Sequence, residues 1–71
     1  MTIEKADLTH DEFIYTCHTM KNFGGGFCTS IAEAGFNADS DNKKRLIAAF
    51  PELFEKYGPG SDFYKAYLGY P

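Results

Sequence analysis

Apolar residues recur along this chain at helical spacing, three or four apart, in short blocks separated by polar or glycine-rich joints. Nowhere do they alternate over the length of a strand. In THDEFIYTCHTM (residues 9–20), Phe13, Ile14, Cys17 and Met20 fall within about 120° of one another on a helical wheel, a coherent buried stripe. His18 falls at the edge of that stripe and Tyr15 on the far side. Thr9 stands as N-cap with Glu12 three residues later, the capping-box spacing, and Asp11 and Glu12 suit the positive end of the helix dipole. Three glycines follow at 24–26. Inside a helix they would cost roughly 2–3 kcal/mol relative to alanine, so the first helix is expected to stop near Lys21 or Asn22.

The pattern resumes in FCTSIAEAGFNA (residues 27–38). Phe27, Ile31, Ala34 and Ala38 form one narrow face whose small residues permit close approach to another helix, and Phe36 points the opposite way. DSDN stops this segment and starts the next: Asp39 or Ser40 caps a third helix with Leu46, Ile47 and Phe50 facing inward. Pro51 removes a backbone donor and pushes Phe50 out of the α region. A break there is favoured over a kink, which makes PELFEKY a separate turn with Leu53, Phe54 and Tyr57 on its apolar side. Gly58 reads as a C-cap, GPGS as a tight loop, and Ser61 as the cap of DFYKAYL, with Phe63, Tyr64, Tyr67 and Leu68 as its stripe. The expected fold is all-α: a small bundle of three principal helices plus one or two short ones. It forms a single domain over residues 1–71, with an irregular lead-in at residues 1–8.

Size sharpens this picture. A chain of 71 residues buries only about 60% of the surface it exposes when unfolded, so its stability margin is thin. Seven Phe and five Tyr offset this, each able to bury about 150–250 Å². They also exceed what one core of this size can hold. Tyr15, Phe36, Tyr64, Tyr67 and Tyr70 are the rings expected outside it, and exposed aromatics mark contact surfaces.

Charge excludes more than it suggests. The net charge is −3, with six acids against two bases in residues 1–39 and five bases against four acids beyond. A mildly acidic chain is a poor coat for nucleic acid and too weakly acidic to mimic a phosphate backbone. CTSIAEAGFNADSDNKKRLIAAF has a loose likeness to a helix-turn-helix. However, Gly35 is followed by Phe36 rather than a small turn, so nucleic acid is not an expected partner. Lys43, Lys44 and Arg45 read first as a solvated helix face.

The two cysteines, Cys17 and Cys28, occupy apolar helical positions, and no apolar run is long enough to act as a signal or membrane span. A reduced cytosolic protein without membrane attachment is therefore expected. His10, Cys17, His18 and Cys28 lack the paired short intervals of structural zinc sites, so neither a metal nor a cofactor is expected. A Cys–His nucleophile would need an exposed thiol beside its imidazole, whereas Cys17 and His18 point about 100° apart. The chain reads as a non-enzyme.

The glycines admit two readings. Amides of Gly24, Gly25 and Gly26 precede a helix and could cradle a phosphate or nucleotide, assisted by Lys21 or by Lys43, Lys44 and Arg45. Yet no Lys-Ser or Lys-Thr follows, no strand precedes, and Phe27 stands where such loops present a polar group. A close-packed corner between two helices is the preferred reading.

NFGGGF, NADSDN and LIAAFPELFEKYGPGSDFY, with Ala38, Asp39, Asn42, Leu46, Phe50, Pro51 and Tyr57 as their skeleton, carry a resemblance over roughly residues 13–64. The chain resembles short helical proteins encoded by tailed bacteriophages. No catalytic motif attaches to that class. The resemblance implies an accessory protein in the host cytoplasm that acts stoichiometrically, by occupying a host or defence protein. The same composition leaves room for two other roles, self-assembly into a homo-oligomer or small-ligand binding at the glycines.

Overall fold

A computed structural model describes residues 8–69, all of whose regular structure is helical. Five helices follow one another: α1 (His10–Phe23), α2 (Gly26–Phe36), α3 (Ser40–Ala49), α4 (Pro51–Lys56) and α5 (Asp62–Leu68). The expected all-α class is what forms. Of the expected lead-in only Leu8 is described; it is half-buried and packs against the core.

Local chemistry sets the boundaries. Thr9 and Glu12 close a reciprocal capping box: the Glu12 amide donates to Thr9 Oγ1 at 3.1 Å and the Thr9 amide to Glu12 Oε1 at 3.0 Å. Asp39, rather than Ser40, caps α3, its Oδ1 accepting from the Asn42 amide at 2.9 Å. Ser61 Oγ accepts from the Tyr64 amide at 3.1 Å and donates to the Gly58 carbonyl at 2.7 Å, tying the loop to the start of α5. Pro51 opens α4 as its first residue, where its missing N–H has no helical partner to lose, and Phe50 adopts a non-helical conformation between α3 and α4. Gly69 ends α5 with φ of 84°, a left-handed conformation that glycine reaches without strain.

The core is organised around α1, which packs most extensively on α2 and next on α5. Phe13, Cys17 and Met20 are buried as expected, joined by Ala32, Ile47, Phe54 and Tyr57, with the Phe13 and Phe54 rings stacked at 5.5 Å. Thr16 and Thr19 are also fully buried. Each hydroxyl donates to a carbonyl one turn back, Thr16 to Glu12 at 2.7 Å and Thr19 to Tyr15 at 2.8 Å, so neither needs water.

Two expectations about packing change. The inner face of α2 is only partly the expected Phe27, Ile31, Ala34 and Ala38: Ile31 packs against the core, but Ala32 and Gly35 are the buried residues, Ala34 is exposed, and Phe27 is 60% exposed. The reason is Gly35. Its backbone lies so close to α1 that a Cβ there would stand 2.6 Å from Cys17 Sγ and 3.2 Å from the Phe13 ring, and this approach turns Phe27 outward. The close packing expected of the glycine run is made at Gly24, and the helices themselves meet closely at Gly35. Within the run, only Gly24 is sterically confined, against Cys28 and the Met20 carbonyl; a Cβ at Gly25 or Gly26 would meet nothing within 4 Å.

Candidate functional site: the exposed rings and an open helical cleft

The rings separate into three groups. His18 lies between Phe36, at 4.7 Å, and Tyr67, stacked on it at 5.6 Å, with Tyr15 at 6.4 Å from Tyr67. This group knits α1, α2 and α5 together. Phe36 and Tyr67 are half-buried within it, and only Tyr15, 39% exposed, reaches clearly into solvent. Tyr64, expected outside, is a core residue at 8% exposure and offers no contact surface. It occupies the inward side of α5, within the first turn that Ser61 caps. Tyr70 lies outside the described residues.

The second group is Phe63 between Tyr57, at 5.1 Å, and Phe23, at 5.4 Å, where α5 and the end of α1 meet the end of α4. The third is an edge-to-face pair, Phe27 and Phe50, at 5.5 Å. Phe23 and Phe63 are 44% and 38% exposed. Sequence reasoning passed over Phe23, and it placed Phe27 and Phe63 on inward stripes. The available signal was position: Phe23 and Phe27 flank the glycines at helix ends, where the chain turns and a neighbouring ring covers each only in part.

Phe27 and Phe50 also show how α2 and α3 are arranged. The start of α2 meets the end of α3, while the opposite ends are joined by the short turn after Phe36, so the two helices run antiparallel. Between them lies a cleft of about 440 Å³. Its walls are Ala34, Ala38, Leu46 and Ala49, and its polar rim is Asn37, Asn42 and Arg45. Ala34, Asn37, Asn42, Arg45 and Ala49 are all exposed, so the cleft is open along its length. Arg45 makes no hydrogen bond or ion pair among the described residues, although Asp41 stands one turn before it.

The cationic and glycine residues do not converge. Lys43 Nζ lies 3.3 Å from His10 Nδ1 and 5.5 Å from the centroid of the Phe13 ring, at the start of α1. The glycine turn is at the other end of that helix, about 20 Å away at 1.5 Å per residue. Lys44 and Arg45 are exposed on α3, and only Lys21, exposed in the last turn of α1, is near the glycines in sequence.

No Cys–His pair is assembled either. His18 is engaged with Phe36 and Tyr67, and burial pushes the Cys17 thiol up to about 12, away from the thiolate a nucleophile requires. Among the described residues no three His, Cys, Asp or Glu side chains are placed to hold a metal ion. Among the same residues, no helix is long and apolar enough to cross a membrane. The chain matches no protein-family model, no curated protein and no solved structure.

Proposed function

We propose that this chain is a non-enzymatic binding protein that acts by occupying another protein through the rings it leaves in solvent. The observation that carries the reading is the exposure of Phe23, Phe27 and Phe63 on a domain with a filled core. Exposed apolar patches mark interaction sites, and aromatic anchors are enriched where proteins meet. The sequence resemblance supplies the setting: an accessory protein of a tailed bacteriophage, acting in the host cytoplasm on a host or defence protein. Nucleotide binding at the glycines draws less support, because Lys43 is held at the far end of α1.

Affinity capture from bacterial host lysate tests this, comparing the native chain with a Phe23→Ser, Phe63→Ser variant. Both positions are exposed, and a circular dichroism spectrum checks that the variant remains helical. A protein retained by the native chain and lost with the variant is the expected result. Unchanged recovery, or retention of no protein, would count against the reading, and a native chain that forms its own oligomer through these rings would favour self-assembly instead.

A further inference from the structure

Carried through the glycines at helical spacing, the inner faces of α1 and α2 form one stripe. Phe13, Cys17 and Met20 on α1, Gly24 at the joint, and Cys28, Ile31 and Gly35 on α2 follow in steps of four, three and four, twice over. On a continuous helix all of them fall within about 80° of one another, and an 11-residue repeat of this kind keeps to one side of a long helix. We propose that α1 and α2 can fuse into a single helix over residues 10–36 and exchange α1 with a second copy of the chain, and that the glycine run, Gly24 above all, holds the balance toward the closed monomer. This stands independently of the binding function proposed above.

The corner between the two helices is short. Gly24 has φ of −88° and ψ of 171°, and Gly25 has φ of −85° and ψ of −162°. Both φ angles already lie in the helical range, so two ψ rotations fuse the helices. The bonds from the Gly24 amide to the Met20 carbonyl and from the Thr29 amide to the Gly25 carbonyl have helical spacing and survive the change. The start of α2 has no side-chain cap, and fusion gives its first amides the carbonyls of the last turn of α1. Composition opposes fusion: glycine is the poorest helix former after proline, and three of them disfavour the fused helix about a hundredfold relative to alanine. Gly24 also permits the corner itself. A Cβ there would stand 2.8 Å from the Met20 carbonyl oxygen and 2.9 Å from Cys28 Sγ, and the first of these is backbone, which cannot swing aside. A side chain at position 24 therefore forbids the corner and favours the helix.

Symmetry closes the exchanged pair. Gly35 and Phe13, which lie against each other within one chain, are equally far from Gly24 in sequence, and so are Met20 and Cys28. Two fused helices laid antiparallel about a two-fold axis at Gly24 bring the same residues together between copies. Each α1 then packs on the α2 and α5 of the other copy, the two elements it meets most in the monomer.

The experiment uses the full chain with spin labels on unnatural side chains at positions 11 and 37, where Asp11 and Asn37 are exposed, so that both cysteines stay untouched. Labelled chain is diluted into unlabelled chain, and only distances within one molecule are read. In the closed monomer the two positions face each other across the α1–α2 pair, whereas in the fused helix they stand about 39 Å apart at 1.5 Å per residue. The native chain and the Gly25→Ala, Gly26→Ala variant are expected to be monomers by light scattering, with the short distance. The Gly24→Ala, Gly25→Ala, Gly26→Ala variant is expected to be a dimer with the long distance. Gly24→Ala alone should raise the dimer fraction at least tenfold over the native chain at equal concentration. A triple variant that stays monomeric, or a dimer that keeps the short distance, overturns the exchange. A native chain with the long distance overturns the glycines as its guard, and a triple variant that dimerises while Gly24→Ala stays closed overturns the part assigned to Gly24. Loss of the helical circular dichroism signal in both Gly24→Ala variants also overturns the proposal, because exchange should rescue what the corner forbids.

Discussion

At the scale of single residues, the seven glycines are not equivalent, and substitution should separate them. Gly35 sits in a helix, where alanine is intrinsically better by about 1 kcal/mol, but its Cβ would press on Cys17 Sγ and the Phe13 ring. Overpacking of this kind costs typically about 1–3 kcal/mol, so Gly35→Ala is expected to lower the urea midpoint. The loss should shrink in a Cys17→Ala background, where the nearest atom is gone. Gly25→Ser and Gly26→Ala meet open space and ordinary backbone angles, and should raise the midpoint, each adding about 0.4–1 kcal/mol of stability by restricting the unfolded chain. The buried threonines make a second test. Thr16 gives its hydroxyl to a carbonyl of its own helix, so Thr16→Val removes a polar group together with its need for a partner. It should leave stability within about 1 kcal/mol of the native chain, measured by the same unfolding curve.

At the scale of elements, the caps are what the sequence spelled most clearly. Thr9, Asp39, Ser61 and Pro51 act within four residues of themselves, so their effect is legible without knowing the rest of the fold. Thr9→Ala and Ser61→Ala should each cost about 1 kcal/mol in chemical unfolding, the ordinary value of a lost N-cap. Faces were harder to read than ends. Phe27 and Cys28 lie about 100° apart on α2, and hydrophobicity alone assigns the larger side chain to the interior. What decides instead is how closely α1 can approach, and that is set by Gly35, a residue with no side chain to advertise its role. Thr16 and Thr19 were invisible for a related reason: hydroxyls that satisfy themselves locally behave as apolar surface, while a wheel counts them as polar. Which rings lie outside the core was legible only in part. Tyr15 is exposed as expected, Tyr64 turned inward, and Phe23, Phe27 and Phe63 are exposed besides.

At the scale of the whole molecule, the chain is compact, with a Cα radius of gyration of 10.9 Å against about 11 Å for a folded domain of this length. Its one strongly displaced thiol links stability to pH. Burial raises Cys17 from 9.0 to about 12, so the folded chain keeps a proton that the unfolded chain releases above about pH 9. The native state retains this stabilisation fully below about pH 9 and loses it progressively as pH rises toward about 12. Urea unfolding at about pH 8.5 and about pH 10.5 should therefore show a larger loss for the native chain than for Cys17→Ala, which lacks this thiol.

The two unencumbered glycines also make the first turn a point of entry for engineering. Between Gly24, whose amide still ends α1 on the Met20 carbonyl, and Gly25, whose carbonyl still begins α2 by accepting from the Thr29 amide, the peptide bond can be parted without touching either hydrogen bond. A short flexible insert there lengthens the connection at about 0.6 kcal/mol per doubling, while Gly35 against Cys17 holds the two helices in register. A fluorophore-bearing segment spliced at that seam would sit beside Phe27, and its emission would report directly on the arrival of a partner.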